Sequence, residues 1–194
     1  MLIAARYLVD RLRHPRARAD EVLALRRRLA AAPGPDAATA DEIALAAEMR
    51  RLREALSTAL EGVTSCSGCA RGHPLPQGRY RGGHCCGTRT ALVFTDDEVA
   101  ALRLSGTTPA RLVPPAGDLA GCAFRGPQGC SLEVADRPNI CVRYVCQELQ
   151  SELRERGDLR EIKAIDAALT RAFERFCRLR RSRAAAVIEP WEDT

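Results

Sequence analysis

Residues 39–63, TADEIALAAEMRRLREALSTALEGV, carry the pattern that decides the fold. Thr39-Ala-Asp-Glu42 reads as a capping box, in which the threonine hydroxyl accepts from the N–H three residues on and the glutamate reaches back. Behind it Leu45, Met49, Leu52, Leu56, Leu60 and Val63 recur every three or four residues. On an α-helix that spacing makes one apolar stripe about five turns long. Such a stripe belongs in the core of a helical bundle. A partner-binding or dimer seam is its other use, and the N-terminal helices are accordingly the place to expect a protein partner.

The same grammar extends in both directions. Ala31-Ala-Pro-Gly-Pro35 breaks the chain, and before it Leu2–Leu12 and Asp20–Ala31 read as helices. Further on, Asp136-Arg137-Pro138 reads as a cap followed by proline in the first turn. The helix it opens should run to about Arg156 and stop at Gly157. Asp158 restarts the helix, and Leu159, Ile162, Ile165, Leu169, Phe173 and Phe176 form a stripe to about Arg183. The tail, VIEPWEDT, is a docked or frayed end.

Between these helical ends, residues 64–142 are short-period and rich in Gly, Pro and Cys. Thr95-Asp-Asp-Glu98 is a second capping box, opening a short helix through Leu104. Ala91–Phe94 and Ser131–Val134 have the pattern of brief strands, neither long enough to organise a sheet. No internal repeat of solenoid type is present. The expected fold class is therefore mainly α, a helical scaffold around a central loop-rich, cysteine-rich metal-binding module with little β structure. Its parts are an N-terminal helical segment (1–63), the cysteine module (64–148) and C-terminal helices packing on it (149–194), together one compact domain.

Composition narrows the function. A chain of 194 residues suits one ordinary domain. The net charge is +5, and of the 30 Lys plus Arg only Lys163 is lysine, so arginine density alone is a weak signal. An aromatic content of 4% speaks against a nucleic-acid stacking platform. Arg178-Leu-Arg-Arg181-Ser-Arg183 is a basic helix end, which suits the helix dipole and makes nucleic acid a weak expectation. No run approaches the ~18 apolar residues of a membrane span. The stretch MLIAARYLVDRLRHPRARAD lacks the ordered regions of a signal peptide. The expectation is a cytoplasmic protein with no membrane partner.

The nine cysteines are the outlier: Cys66, Cys69, Cys85, Cys86, Cys122, Cys130, Cys141, Cys146 and Cys177. In a reducing compartment clustered thiols bind metal more often than they form structural disulfides. Cys66-Ser-Gly-Cys69 is a C-x2-C knuckle, whose intervening backbone can turn around an ion. Gly68 gives it freedom to do so, and Gly87, Gly121 and Gly129 stand beside Cys86, Cys122 and Cys130 in the same way. Backbone N–H groups at such positions can approach sulfur as supporting donors.

Two spacings constrain the ligand set. The adjacent side chains of Cys85 and Cys86 diverge, so both rarely bind one tetrahedral ion. Cys141 and Cys146 are five residues apart, roughly 500 degrees on an ideal helix, so their side chains point about 140 degrees apart. Both reach one centre only if Cys146 is on the helix and Cys141 is in the turn that opens it. One tetrad is then Cys66, Cys69, one of Cys85 and Cys86, and Cys146. Cys122, Cys130 and Cys141 with the remaining vicinal cysteine can make a second; the alternative is one centre with auxiliary thiols. Zinc on four thiolates carries a charge of about −2, which Arg71, Arg79, Arg81, Arg89, Arg125, Arg137 and Arg143, close to cysteines in sequence, can offset. His73 and His84 read as loop residues, Cys177 as a small buried hydrophobe, and Tyr144 as a packing ring.

The C-x2-C knuckle and vicinal pair, then Gly121-Cys-Ala-Phe124, Gly129-Cys-Ser-Leu132, Arg137-Pro-Asn-Ile-Cys141 and Tyr144-Val-Cys146, resemble the zinc- or iron-chelating cysteine-cluster (CxxCxxCC) domain family, which also contains flagellin lysine methylases. The resemblance covers about residues 64–148. Fifteen residues separate Cys69 from Cys85, where the family pattern has two. The resemblance implies a bound zinc ion or iron–sulfur cluster. An iron–sulfur-dependent protein lysine methyltransferase is a second reading, although no strand, glycine-rich turn and helix suited to a nucleotide is present. A thiol-based redox or metal-handling protein is a third. The spacing is not that of the common bacterial ferredoxin run.

Overall fold

The computed structural model describes residues 18–66, 89–116, 121–126 and 129–188. The Leu2–Leu12 segment, Cys69, Cys85, Cys86, His73 and His84 lie outside the described residues, as does the tail beyond Ile188. The described chain is mainly helical, as its periodicity predicts. Helix α1 is Arg18–Ala31, α2 is Ala40–Ala59, α3 is the single turn Thr90–Val93, and α4 is Asp96–Leu104. A two-stranded antiparallel hairpin follows, β1 Arg125–Gly126 and β2 Gly129–Cys130. Then come α5 Asn139–Arg143, α6 Gln147–Arg156 and α7 Leu159–Ile188.

The Thr39 capping box forms as read: Thr39 Oγ1 accepts from Glu42 N–H at 3.2 Å, and Glu42 Oε2 accepts from Thr39 N–H at 2.8 Å. From this fixed start α2 lies along α7. Leu45, Met49 and Leu56 of α2 meet Ile162, Leu169 and Phe176 of α7 in one apolar core, joined by Val142 of α5 and Leu149 and Leu153 of α6. The C-terminal half of α7 is tied back by ion pairs. Arg175 faces Asp41 at 4.0 Å, Arg183 reaches Glu42 at 3.3 Å and the Ala37 carbonyl, and Arg180 pairs with Asp97. Two arginines of the basic helix end, Arg180 and Arg183, therefore bind the protein itself. Cys177 on α7 is buried, as its position beside the stripe predicts.

A second core lies on the other side of α4. Val22, Leu25 and Leu29 of α1 pack with Phe94, Leu112, Phe124 and Leu132. The Phe94 and Phe124 rings meet at 5.6 Å and 54°. Helix α1 is held there by arginines that bind backbone carbonyls: Arg28 to Phe94 at 2.8 Å and Arg26 to Leu112 at 2.9 Å. Helix α4 divides its faces between the cores, with Ala100 and Ala101 turned to the first and Val99 and Leu102 to the second.

Four local readings are corrected. Ala91–Phe94 is not a strand but the helical turn α3, which Thr90 opens with a buried hydroxyl. Ser131–Val134 is not a strand either; pairing stops at Cys130, and Val134 begins a 3-10 turn to Asp136. The Thr95 box is half formed: Thr95 Oγ1 accepts from Glu98 N–H at 3.3 Å, but the Glu98 carboxylate accepts from Asn139 N–H instead. The helix after Pro138 breaks at Tyr144–Cys146, where ψ opens to 111° and 171° at its two ends. The Cys146 sulfur then caps α6, accepting from Leu149 N–H at 3.5 Å, and Gly157 closes α6 in the left-handed conformation as expected.

Because α4 has a core on each side, extra volume at Ala101, which has no exposed surface, has nowhere to go. Ala101→Leu is expected to destabilise the fold by about 1–3 kcal/mol. Urea unfolding followed by far-ultraviolet circular dichroism measures this; an unchanged midpoint would mean that α4 is not clamped on both sides.

Candidate metal centre

The hairpin brings two of the expected ligands together. Gly121 and Gly129 take φ of 91° and 115°, a region unfavourable for other residues, at the bend that carries Cys122 and at the start of β2, which carries Cys130. Cys122 is buried and Cys130 half-buried, and a negative charge on Cys130 is felt at Cys122. The Cys122 sulfur accepts a hydrogen bond from Phe124 N–H. Burial pushes the Cys122 thiol up to about 11, opposed by Phe124 N–H, Thr90 and the Arg18 guanidinium. At neutral pH it is protonated, and a bound cation would displace that proton.

Cys146 sits elsewhere, against the α2–α7 core. Burial raises its thiol, the nearby Glu148 carboxylate adds to this, and Leu149 N–H opposes it. The chain leading to Cys66 runs beside the same helix. Glu152 of α6 accepts from Thr64 N–H at 2.7 Å, Thr64 Oγ1 at 3.0 Å and Ser65 N–H at 2.9 Å. These bonds, Thr64 N–H first, hold the Glu152 carboxyl down to about 2. Thr64 lines an open groove with Gln147, Glu148, Ser151, Glu152 and Glu155. Cys66 is exposed, one residue past this clamp.

Cys141 is exposed on α5, between exposed Ile140 and Tyr144. The expected placement of this pair is thus inverted: Cys141 lies within a helix and Cys146 in the cap of the next. The reason is the break at Tyr144–Cys146, which removes the single helix from which the angular argument was made. Tyr144 projects outward rather than packing.

What fixes the Arg137–Cys141 motif is a buried polar knot. Arg53 of α2 has no exposed surface. Its guanidinium donates to Asn139 Oδ1 at 2.9 Å, to the Ala135 carbonyl at 3.1 Å and to Ser105 Oγ at 3.3 Å. Asp136, equally buried, accepts from Thr107 Oγ1 and Arg111 Nε, both at 2.8 Å. Arg137 Nε donates to the Leu132 carbonyl at 2.9 Å, and Arg143 pairs with Asp166 at 2.6 Å. Burial pushes the Glu98 carboxyl up to about 7, against Asn139 N–H and the Arg53 charge. Desolvation brings Arg53 down to about 10, still cationic at neutral pH.

Sequence reasoning missed Arg53, Glu98 and Asn139, and also Arg18, Glu21 and Thr90 around Cys122. A signal for Arg53 existed: it lies four residues after Met49 and three before Leu56, on the buried stripe itself. Arg18 precedes the cysteine region by almost fifty residues and gave none.

Among the described residues no two cysteines are joined by a disulfide, and no three groups of the His, Cys, Asp and Glu type converge on one point. The described cysteines of the expected ligand set fall into three places: Cys122 with Cys130 under α1, Cys146 with the approach to Cys66 along α6, and Cys141 on α5. The first suits a thiophilic ion in its chemistry: two thiols on one core, one receiving a backbone N–H and within the field of the Arg18 charge. Completing either of the first two sets calls on cysteines outside the described residues. No family model matches this chain, and no curated protein or solved structure is similar to it.

The knot makes stability depend on pH. An acid whose carboxyl moves from 4.5 to about 7 on folding contributes fully below about pH 4.5, and that contribution is lost as pH rises through about 7. Stability should fall by an amount on the order of 3 kcal/mol between pH 4.5 and 8 from this group. Denaturant unfolding across that range is expected to show the slope in the native protein and its loss in Glu98→Gln. Equal slopes in both would remove Glu98 from the account.

Proposed function

We propose that this chain is a cysteine-cluster metal protein, similar in its motifs to the CxxCxxCC family, whose centre holds the loop-rich middle of the chain to a helical scaffold. The ligands are drawn from Cys66, Cys69, Cys85, Cys86, Cys122, Cys130, Cys141 and Cys146, and the bound group is zinc or an iron–sulfur cluster. The observation that carries this reading is that Cys122 and Cys130, each next to a glycine of positive φ, pack on the same α1 core, with a backbone N–H given to the Cys122 sulfur. Two thiols that served only packing would need neither the turn geometry nor the neighbouring positive charge of Arg18.

The separation between Cys122 with Cys130 and Cys146 favours two centres over one. The Cys146 position adds a helix N-terminus, whose N–H groups and dipole favour a thiolate once a cation has replaced the proton. A cytoplasmic setting would keep these thiols reduced. Among the described residues no helix is long and apolar enough to cross a membrane.

Anaerobic purification followed by elemental analysis and an absorption spectrum tests the proposal. Bound zinc with no visible bands, or iron and sulfide with a brown chromophore, is expected. Chelation should then open the middle of the chain to protease while most far-ultraviolet helix signal remains. A metal-free protein that keeps a cooperative fold, with its thiols all reactive, would overturn the proposal.

A further inference from the structure

Thr90 is 3% exposed and stands at the start of α3, between α1 and the Cys122 turn. Its hydroxyl donates to Glu21 Oε2 of α1 at 2.6 Å and accepts from Ala123 N–H at 2.9 Å. It also lies 4.0 Å from the Cys122 sulfur. On the other side of the same residue, in the next peptide, Arg18 Nη1 donates to the Ala123 carbonyl at 3.3 Å and also to the Arg125 carbonyl at 3.1 Å. The residue after Cys122 is thus held at its N–H by Thr90 and at its carbonyl by Arg18. A buried hydroxyl with three polar neighbours is poorly explained by packing, which valine would serve with the same shape.

We infer that Thr90, held in place by Glu21, is a positioning residue for Cys122 as a metal ligand, and that the first turn of α1 is thereby a working part of the centre. This rests on the metal-binding reading above. The hydroxyl fixes the Cys122–Ala123 peptide and so the direction in which the sulfur is presented, while Arg18 holds the next peptide, Ala123–Phe124, by its carbonyl. Both anchoring side chains of α1 lie before residue 64, outside the stretch that carries the cysteine motifs. The cysteine-rich region is on this account not self-sufficient as a binding unit.

Cobalt(II), which gives thiolate charge-transfer bands, is the probe, loaded into the full chain and then released to a chelator. Thr90→Val is expected to speed release about 10-fold and to shift the bands. Thr90→Ser, which keeps the hydroxyl, is expected to match the native protein. In a Cys122→Ser background, Thr90→Val should add nothing further. Native bands and release in Thr90→Val, or an equal loss in Thr90→Ser, would overturn the inference, as would an undiminished effect in the Cys122→Ser background. Should Thr90→Val not fold, Glu21→Gln takes its place, with a change in the same direction expected and an unchanged rate counting against the role. If the native protein takes up no cobalt through thiolate, the metal-binding reading falls and this inference with it. A native thiolate band that Thr90→Val leaves intact removes only the role of Thr90.

Discussion

A guanidinium with no exposed surface governs this structure. Arg53 sits on the apolar stripe of α2, where a charge is costly unless it is fully bonded. Its partners come from one stretch of chain and its neighbours: Ala135, Asn139 and Ser105. Removing a member of such a buried set leaves polar groups stranded, which typically costs more than the set contributes. The Arg137–Cys141 motif is consequently pinned to α2 by the Asn139 side chain and by the Ala135 carbonyl just before it, while Glu98 of α4 holds the first N–H of α5. The cysteine-bearing segment inherits its position from a helix some eighty residues away.

The second consequence concerns the placing of sulfur. Helix α4 separates an α2–α7 core from an α1 core, and the cysteines divide in the same way. Cys122 and Cys130 belong to the α1 side and Cys146 to the α2–α7 side. A helical scaffold of this kind contributes what loops alone cannot: fixed carbonyls, a helix N-terminus and buried counter-charges at defined places. The short turns supply the curvature, and α1, α2, α4 and α6 supply the anchors.

Much of the helical framework was legible in the sequence, because α2 and α7 have long stripes and α2 and α6 have recognisable ends. Thr39 and Glu42 cap each other across three residues, so local chemistry suffices. At Thr95 the same pattern gave only half the result, since the Glu98 carboxylate found a stronger use at Asn139, forty-one residues on. The break at Tyr144–Cys146 was hidden because Val142, Leu149 and Leu153 keep a helical period across it, and a cysteine is not a usual N-cap. Thr90 was unreadable for a related reason: Ala91–Phe94 is apolar and short, and its helical turn depends on a hydroxyl partnered by α1. Within the site, the cysteines were readable from spacing. Arg18, Glu21, Thr90 and Arg53 act across long sequence separations, and only the folded chain brings them to their partners.

On the proposed reading, sulfur atoms from separate segments of this chain surround a metal. X-ray absorption at the metal edge of the anaerobically purified full chain measures this directly. For zinc, the account predicts a first shell of sulfur at about 2.3 Å with no light-atom component. A first shell of oxygen or nitrogen at about 2.0–2.1 Å would contradict it.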